Sequence, residues 1–299
     1  MAKDRTYKVE AAVRSQDLVG ESPVWCERTE ALWWVDVRRP AVRAFRPQSG
    51  THESYPLDPS IALAGLVLRE TGGILLLTNN GIFTFDPPDK IALFAGLESG
   101  QNESGIRLNE GKCDAFGRMW CGTTQDVEHR QSVGALYRFD ADKRVTSHVR
   151  RLGIPNGIAW SPDNESMYFS DSLKQVIFKC DFDVDTGAIL NQRIFADMKH
   201  TRAWPDGAAV DQEGCLWSAQ LFEGKLLRFS PDGSVVGEIQ LPTKLVTSCA
   251  FGGHDCHTLY ITTGSKRLNE EERLSQPLAG ALFAVVLPVG GFPEPRYTG

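Results

Sequence analysis

A pattern of short strands that recurs six times along the chain is the feature that most constrains its fold. In each copy, two runs of alternating apolar and polar residues flank a turn, which predicts a β-hairpin, and a third strand leads into the hairpin. The first residues of these leading strands align at intervals of 43, 45, 47, 50 and 42 residues: Glu21, Ala64, Asn109, Asn156, Asp206 and Ser248. Short strands repeated at this interval without an intervening helix are typical of the blades of a β-propeller.

Six blades close one ring, so we predict an all-β, six-bladed β-propeller with four-stranded blades that takes in residues 1–299 as a single domain. A ring needs a closing strand, and residues 7–13 alternate in the way that would let them complete the last blade. No segment keeps a helical period. The best helical candidate, residues 268–274, is expected to form a short surface turn between strands of blade six.

Charge and cysteine content limit the partners and the compartment. The chain has 32 Lys and Arg against 38 Asp and Glu and no basic tract, which argues against nucleic acid and anionic membranes as partners. It has no signal-like amino terminus and no apolar run long enough to span a bilayer. Seven cysteines without a Cys-x-x-Cys pair favour reduced, buried thiols. We therefore expect a cytoplasmic protein, either a monomer or a weak homodimer.

In a propeller the leading strands line the central channel, so their first residues should converge at one mouth. Glu21, Asn109, Asn156 and Asp206 all carry side-chain oxygens there. A ring of oxygen ligands without Cys or His suits Ca²⁺ or Mg²⁺, and Zn²⁺ or Mn²⁺ is also compatible with it. The alternative is that these polar residues only cap turns at the starts of strands.

Five motifs along the chain resemble the blade-start motifs of the SMP-30/gluconolactonase family, and they occur in family order. They are GESPVW (20–25), RLNEGKCD (107–114), PNGIAW (155–160), PDG (205–207) and CAFGG (249–253). The resemblance, which runs from about residue 9 to residue 298, implies one divalent metal ion in the channel, held by Glu21, Asn156 and Asp206. It also implies that Arg107 and Asn109 contact the sugar.

A further acidic sugar contact of the family falls in the loop after Gly122, where Asp126 or Glu128 could serve. Trp204 stands two residues before Asp206, and its ring is expected to wall the sugar pocket. The alternative for Trp204 is an exposed aromatic on a rim loop. Ser172 is expected either to hydrogen-bond a ligand residue or to serve only in a turn.

The reaction implied by the resemblance is hydrolysis of a sugar-derived aldonolactone to the aldonic acid. The metal would polarise the lactone carbonyl, and Asp206 would act as the general base on the attacking water. Two other functions remain open. One is a non-catalytic calcium-binding or regulatory protein, against which the sugar-holding Arg107 and Asn109 argue; the other is a propeller hydrolase of phosphoesters, which a flat, apolar pocket would favour.

Overall fold

The computed structural model describes residues 7–79, 81–96, 105–125 and 132–299. These residues form 24 strands and one short helix, and the strands assemble into six antiparallel sheets of four. The innermost strands of successive sheets contact one another around a complete ring. The predicted all-β, six-bladed propeller is therefore confirmed.

The first strand, β1 (Glu10–Val13), belongs to the last blade, and the next twelve strands build blades one to three in order. Blade one contains β2 (Gly20–Cys26), β3 (Ala31–Asp36), β4 (Ala41–Arg46) and β5 (Thr51–Pro56). Blade two contains β6 (Leu63–Leu68), β7 (Ile74–Thr78), β8 (Gly81–Asp86) and β9 (Lys90–Ala95). Blade three contains β10 (Ile106–Cys113), β11 (Met119–Gln125), β12 (Gly134–Phe139) and β13 (Val145–Leu152).

The second half of the ring repeats this order up to its last strand. Blade four contains β14 (Pro155–Trp160), β15 (Ser166–Asp171), β16 (Val176–Asp183) and β17 (Ala188–Asp197). Blade five contains β18 (Trp204–Val210), β19 (Leu216–Leu221), β20 (Lys225–Phe229) and β21 (Val235–Gln240). Blade six contains β22 (Val246–Gly252), β23 (Thr258–Thr263) and β24 (Leu282–Val286), and β1 is its outermost strand.

The pairing of β1 with β24 closes the ring, with Glu10 opposite Ala284. The strand predicted within residues 7–13 is therefore confirmed. The segment between β23 and β24 holds α1 (Glu270–Ser275), where the sequence predicted only a surface turn. Its helical form is explained by a capping box, because Asn269 Oδ1 accepts a hydrogen bond from the Glu272 amide and the Glu272 carboxylate accepts one from the Asn269 amide.

The apolar core lies between blades rather than within them. Six clusters of buried side chains occur among the described residues, and each joins two neighbouring blades. Sheets packed around an axis bury both of their faces in this way, which explains why strands such as β3 and β7 are apolar along nearly their whole length. The strands that carry the channel residues are thus packed between neighbouring blades.

Three buried aspartates each accept hydrogen bonds from a tryptophan indole and pair with an arginine. They are Asp17 with Trp34 and Arg43, Asp114 with Trp120 and Arg118, and Asp211 with Trp217 and Arg228. Because each carboxylate is fully buried and multiply bonded, these groups fix loops to their blades. They stabilise the ring and lie apart from the channel side chains described below.

Every innermost strand carries a β-bulge at the same level of the ring. The register shifts lie between Glu21 and Val24, Leu63 and Gly65, Leu108 and Gly111, Asn156 and Ala159, Pro205 and Ala208, and Val246 and Ser248. A bulge bends its strand and redirects the side chains beside it. Six bulges at one level therefore turn six sets of side chains towards one volume.

The seven cysteines are all buried and unpaired, which confirms the prediction of buried thiols. Within the described ranges, no helix has the length and apolar character needed to cross a membrane.

Candidate active site

One cavity of about 840 Å³ opens at the mouth of the channel where the bulges lie. Glu21, Ala64, Asn109, Asn156 and Asp206 all line it, as expected for the first residues of the leading strands. Asn156 and Asp206 are only 7% and 6% exposed. Five positions that are spread over 185 residues of sequence, from 21 to 206, therefore meet in one small volume.

The sixth position differs from the sequence alignment by one residue. Ser248 was aligned with the site residues, but the strand register gives that place to Thr247, which lies inside the bulge after Val246 and lines the cavity. Ser248 instead packs against blade five, where a side chain on Gly207 would collide with its hydroxyl. Ala64 has a small side chain and leaves space at the mouth. Thr247 donates a hydrogen bond to the carbonyl of Gly20 at 2.6 Å.

Asn156 is held on both sides of its amide. Its Nδ2 donates to Ser172 Oγ at 2.9 Å, and its Oδ1 accepts from Asn109 Nδ2 at 2.6 Å. Ser172 Oγ donates in turn to the carbonyl of Pro205 at 2.7 Å, next to Asp206. Of the two roles open to Ser172, the structure therefore favours contact with the candidate ligand.

Asn109 and Arg107 form a second polar group in the same cavity. Arg107 Nη1 donates to Asn109 Oδ1 at 3.2 Å and to the carbonyl of Leu108 at 3.0 Å. Asn109 Nδ2 also donates to the carbonyl of Pro155 at 3.0 Å. The guanidinium and the amide are therefore linked and face a common space.

Glu110 is a further cavity residue, which the sequence did not single out. It lines the cavity, is 4% exposed, and accepts a hydrogen bond from the Ile158 amide at 3.1 Å through Oε2. A signal was present, because the equivalent place in the other blades holds only serine or glycine: Ser22, Gly65, Gly157, Gly207 and Ser248. A glutamate in a column of small residues projects into the channel.

Three carboxylates thus share a poorly solvated space, and their pKa values rise. Burial raises the pKa of Glu110 to about 7, although the charge of Lys112 opposes this. Burial and the charge of Glu110 raise the pKa of Glu21. Burial and the charges of Glu21 and Glu110 raise the pKa of Asp206 well above its ordinary value. Such a cluster either takes up protons or binds a cation.

The donor set fits a hard divalent cation. Glu21, Asn156 and Asp206 offer only oxygen, and among the described residues Glu110 Oε1 is buried without a hydrogen-bond partner. Within that same part of the chain, no three Asp, Glu, His or Cys side chains are arranged to hold an ion on their own. An ion in this cavity would therefore need the amide oxygen of Asn156 as well as the carboxylates.

Trp204 lines the cavity at its rim, beside residues of the β19–β20 turn. Its ring meets that of Phe222 edge-on, with 5.5 Å between centroids and an interplanar angle of 88°. Trp204 is therefore placed where it could wall a pocket. Asp126 and Glu128, the expected acidic sugar contacts, lie outside the described residues.

Comparisons with known proteins agree with this architecture. The profile of the SMP-30/Gluconolactonase/LRE-like region matches residues 19–265. The 6-deoxy-6-sulfogluconolactonase of Pseudomonas putida is 35% identical over 294 residues, which cover 97% of this chain and 99% of that protein. Pentonolactonase XacC of Haloferax volcanii is 31% identical over 286 residues, which cover 93% and 94% of the two chains.

A solved structure described as a calcium-binding protein, regucalcin, from Agrobacterium tumefaciens superposes with a TM-score of 0.92 at 26% identity, over the full length of both chains. The family match spans more than half of the chain and includes the blade starts that line the cavity. The chain therefore belongs to the SMP-30/gluconolactonase/LRE-like family.

Proposed function

We propose that this protein is a sugar lactonase that hydrolyses an aldonolactone to the aldonic acid with one divalent cation held by Glu21, Asn156 and Asp206. The observation that carries the proposal is the meeting of these three oxygen donors with Arg107 and Asn109 in one cavity. The names of two relatives, a sulfogluconolactonase and a pentonolactonase, support the same reaction. The calcium-binding description of the superposed structure supports the cation.

The chain's own residues account for the movement of protons. Asp206, as a carboxylate, accepts a proton from the water that attacks the lactone carbonyl carbon. When the tetrahedral intermediate collapses, the bond from that carbon to the ring oxygen breaks, and Asp206 returns the proton to the ring oxygen. The product is an open-chain hydroxy acid, which ionises at neutral pH, so each turnover releases one proton to solution.

A bound divalent cation supplies polarisation of the carbonyl and stabilises the negative charge that develops on its oxygen. Glu21 and Asn156 hold that position, and Ser172 keeps the Asn156 amide in one orientation. The guanidinium of Arg107 and the amide of Asn109 bind sugar hydroxyls, which disfavours substrates that lack those hydroxyls.

The other two functions make different demands on the cavity. A flat, apolar pocket would favour a hydrolase of phosphoesters, whereas this cavity has Arg107, Asn109 and Asn156 among its lining residues as well as carboxylates and apolar side chains. A non-catalytic calcium-binding protein would use the same oxygen donors without turnover. Oxygen donors accept Ca²⁺, Zn²⁺, Mn²⁺ and Mg²⁺, so the native cation is identified by the lactonase activity that each of them supports.

The test is a panel of aldonolactones assayed by proton release with untreated protein, with EDTA-treated protein, and after addition of each of the four cations. We expect opening well above the spontaneous rate, loss of that activity with EDTA, and recovery with at least one cation. Cation binding without turnover on any lactone would favour the calcium-binding role. Turnover that EDTA leaves unchanged would contradict the role of the cation in the reaction.

A further inference from the structure

A lysine lies in the channel beneath the candidate active site. Lys112 follows Glu110 by two residues on β10. The equivalent places in the other five blades hold apolar side chains: Val24, Val67, Ala159, Ala209 and Ala250. Glu110, Lys112 and Glu294 line one narrow space, and Glu110 lines the main cavity as well. Lys112 therefore occupies the next layer of the channel, directly below the floor of the candidate active site.

The Lys112 ammonium is buried between two partners from distant parts of the chain. It donates to the carbonyl of Ala208 on β18 at 2.9 Å and to Glu294 Oε1 at 2.8 Å. The Lys112 side chain is only 11% exposed. Burial favours the neutral amine, but the charges of Glu294 and Glu110 raise the pKa of Lys112 above its ordinary value. The lysine is therefore charged at neutral pH and forms a charge-assisted hydrogen bond with each partner.

The carbonyl that Lys112 holds belongs to the residue at which the bulge around Asp206 ends. The two residues before it are packed tightly by other blades. A side chain on Gly157 of blade four would collide with the carbonyl of Asp206, and a side chain on Gly207 would collide with blade six. Lys112 adds a contact from blade three at Ala208. Three consecutive residues of β18 are thus each held by a different blade.

Glu294 lies in the C-terminal segment, residues 288–299, which is anchored on both sides of it. The carbonyl of Gly290 accepts a hydrogen bond from an amide of blade five at 2.8 Å, and the amide of Tyr297 donates to a carbonyl of blade two at 2.9 Å. The Glu294 side chain is only 18% exposed. Its carboxylate is therefore fixed at the channel, where it fixes the ammonium of Lys112 in turn.

We propose that Lys112 is a positioning residue of the lactonase site, which holds β18 so that the Asp206 carboxylate faces the bound lactone. Glu294 keeps the lysine in this place. The inference rests on the proposed function, in which Asp206 is the base and β10 carries the sugar contacts Arg107 and Asn109. The lysine ties the strand that binds the sugar to the strand that carries the base. A misplacement of about 1 Å between reacting groups can cost about 100-fold in rate.

Lys112→Met tests the proposal, because it keeps an unbranched apolar stem and removes the ammonium. We expect kcat for the best aldonolactone to fall about 10–100-fold. KM should change less than about twofold, because the sugar contacts remain. Lys179→Met is the matched control. Lys179 Nζ donates to the carbonyl of Pro231 at 3.1 Å and so also ties two blades, but it lies on the exposed side of β16, and its loss should leave kcat unchanged.

A second variant separates positioning from stability. Lys112→Met leaves the Glu294 carboxylate buried without its partner, which is destabilising. Lys112→Met/Glu294→Gln removes both charges, so we expect it to regain resistance to urea while its kcat stays low. All rates are measured at urea-free conditions well below the unfolding temperature of each variant.

A near-wild-type kcat in folded Lys112→Met, or a kcat that recovers together with stability in the double variant, would overturn the inference while the lactonase proposal stands. A loss that falls on KM with kcat unchanged would also overturn it. A wild-type protein that opens no aldonolactone would overturn both the inference and the proposed function.

Discussion

The amide of Asn156 in blade four is tied to the Ser172 hydroxyl, with 2.9 Å between Nδ2 and Oγ, and that hydroxyl donates to the carbonyl next to Asp206 in blade five. Two of the three candidate ligands are therefore coupled through one hydroxyl group. Asn109 holds the Asn156 carbonyl oxygen from the opposite side. The second lone pair of that oxygen remains to face the cavity.

Loss of the Ser172 hydroxyl should weaken cation binding. Because partners that orient a ligand typically contribute 10–100-fold in affinity, we expect Ser172→Ala to raise the Kd for the activating cation about tenfold or more. Ser172→Thr should retain most of the affinity, since it keeps the hydroxyl. Calorimetric titration of EDTA-treated protein measures the change, with Ser49→Ala, in an exposed turn, as the control. An unchanged Kd in Ser172→Ala would show that the hydrogen bond has no role in binding.

The buried carboxyl of Glu110 should make the stability of the metal-free protein depend on pH. Its pKa is raised by burial from 4.5 to about 7, so the folded state binds the proton more tightly than the unfolded state. The stabilisation from the protonated form is fully present below pH 4.5 and is lost as the pH rises through 7. The difference corresponds to about 3 kcal/mol.

Glu110→Gln should remove this dependence. In EDTA at a pH of about 8, we expect the variant to unfold at a higher urea concentration than the wild type, and the two to converge at a pH of about 5. Glu238→Gln, at an exposed position on β21, should behave as the wild type. A Glu110→Gln protein that is less stable than the wild type at both pH values would contradict the proposed cost of the buried charge.

Arg107 should act mainly on substrate binding. Its guanidinium is linked to Asn109 in the cavity, so Arg107→Met removes donors for sugar hydroxyls and takes one donor away from the half-buried Asn109 Oδ1. We expect kcat/KM for the best lactone to fall about 100-fold, chiefly through KM. Arg150→Met, at an exposed arginine on β13, serves as the control. A fall confined to kcat would place Arg107 in the chemical step instead.

Asp114 should matter for stability and not for turnover. Its buried carboxylate accepts from the indole of Trp120 at 2.9 Å and from Arg118 Nε at 2.6 Å. Asp114→Ala leaves the arginine without its partner, and we expect a loss of about 3–5 kcal/mol in the free energy of unfolding by urea. Asp142→Ala, at an exposed turn, should cost less than about 1 kcal/mol. We expect the folded Asp114→Ala protein to keep a near-wild-type kcat. Unchanged stability in this variant would contradict the stabilising role of Asp114.

The ring and the position of its polar mouth could be predicted because both follow from the sequence repeat. Glu21, Asn156 and Asp206 stand at equivalent places in their blades, and the closure of a propeller brings equivalent places together. Blade six was misaligned by one residue, since the place that is often glycine elsewhere holds Ser248. The bulge after Val246, which decides that Thr247 faces the cavity, depends on strand pairing that the residue types do not reveal.

The rim could not be predicted from the repeat. Lys266 and Arg267 lie between β23 and α1, where the sequence has no counterpart in the other blades. Their place at the cavity comes from hydrogen bonds to Leu18, far away in sequence, and from the rings of Trp204 and Phe222. Contacts of this kind depend on the closed ring, because they join the segment after β23 to the segment before β2 on one side and to blade five on the other.

Proton release from the best aldonolactone by Asp206→Asn, measured beside the wild type, tests most directly whether this cavity carries the reaction. The amide keeps the shape of the carboxylate but cannot accept the proton, so we predict that the rate falls about 1000-fold or more, to near the spontaneous rate. Asp232→Asn, at an exposed turn of the same blade, should retain the wild-type rate. A folded Asp206→Asn protein that turns over at near the wild-type rate would contradict the mechanism.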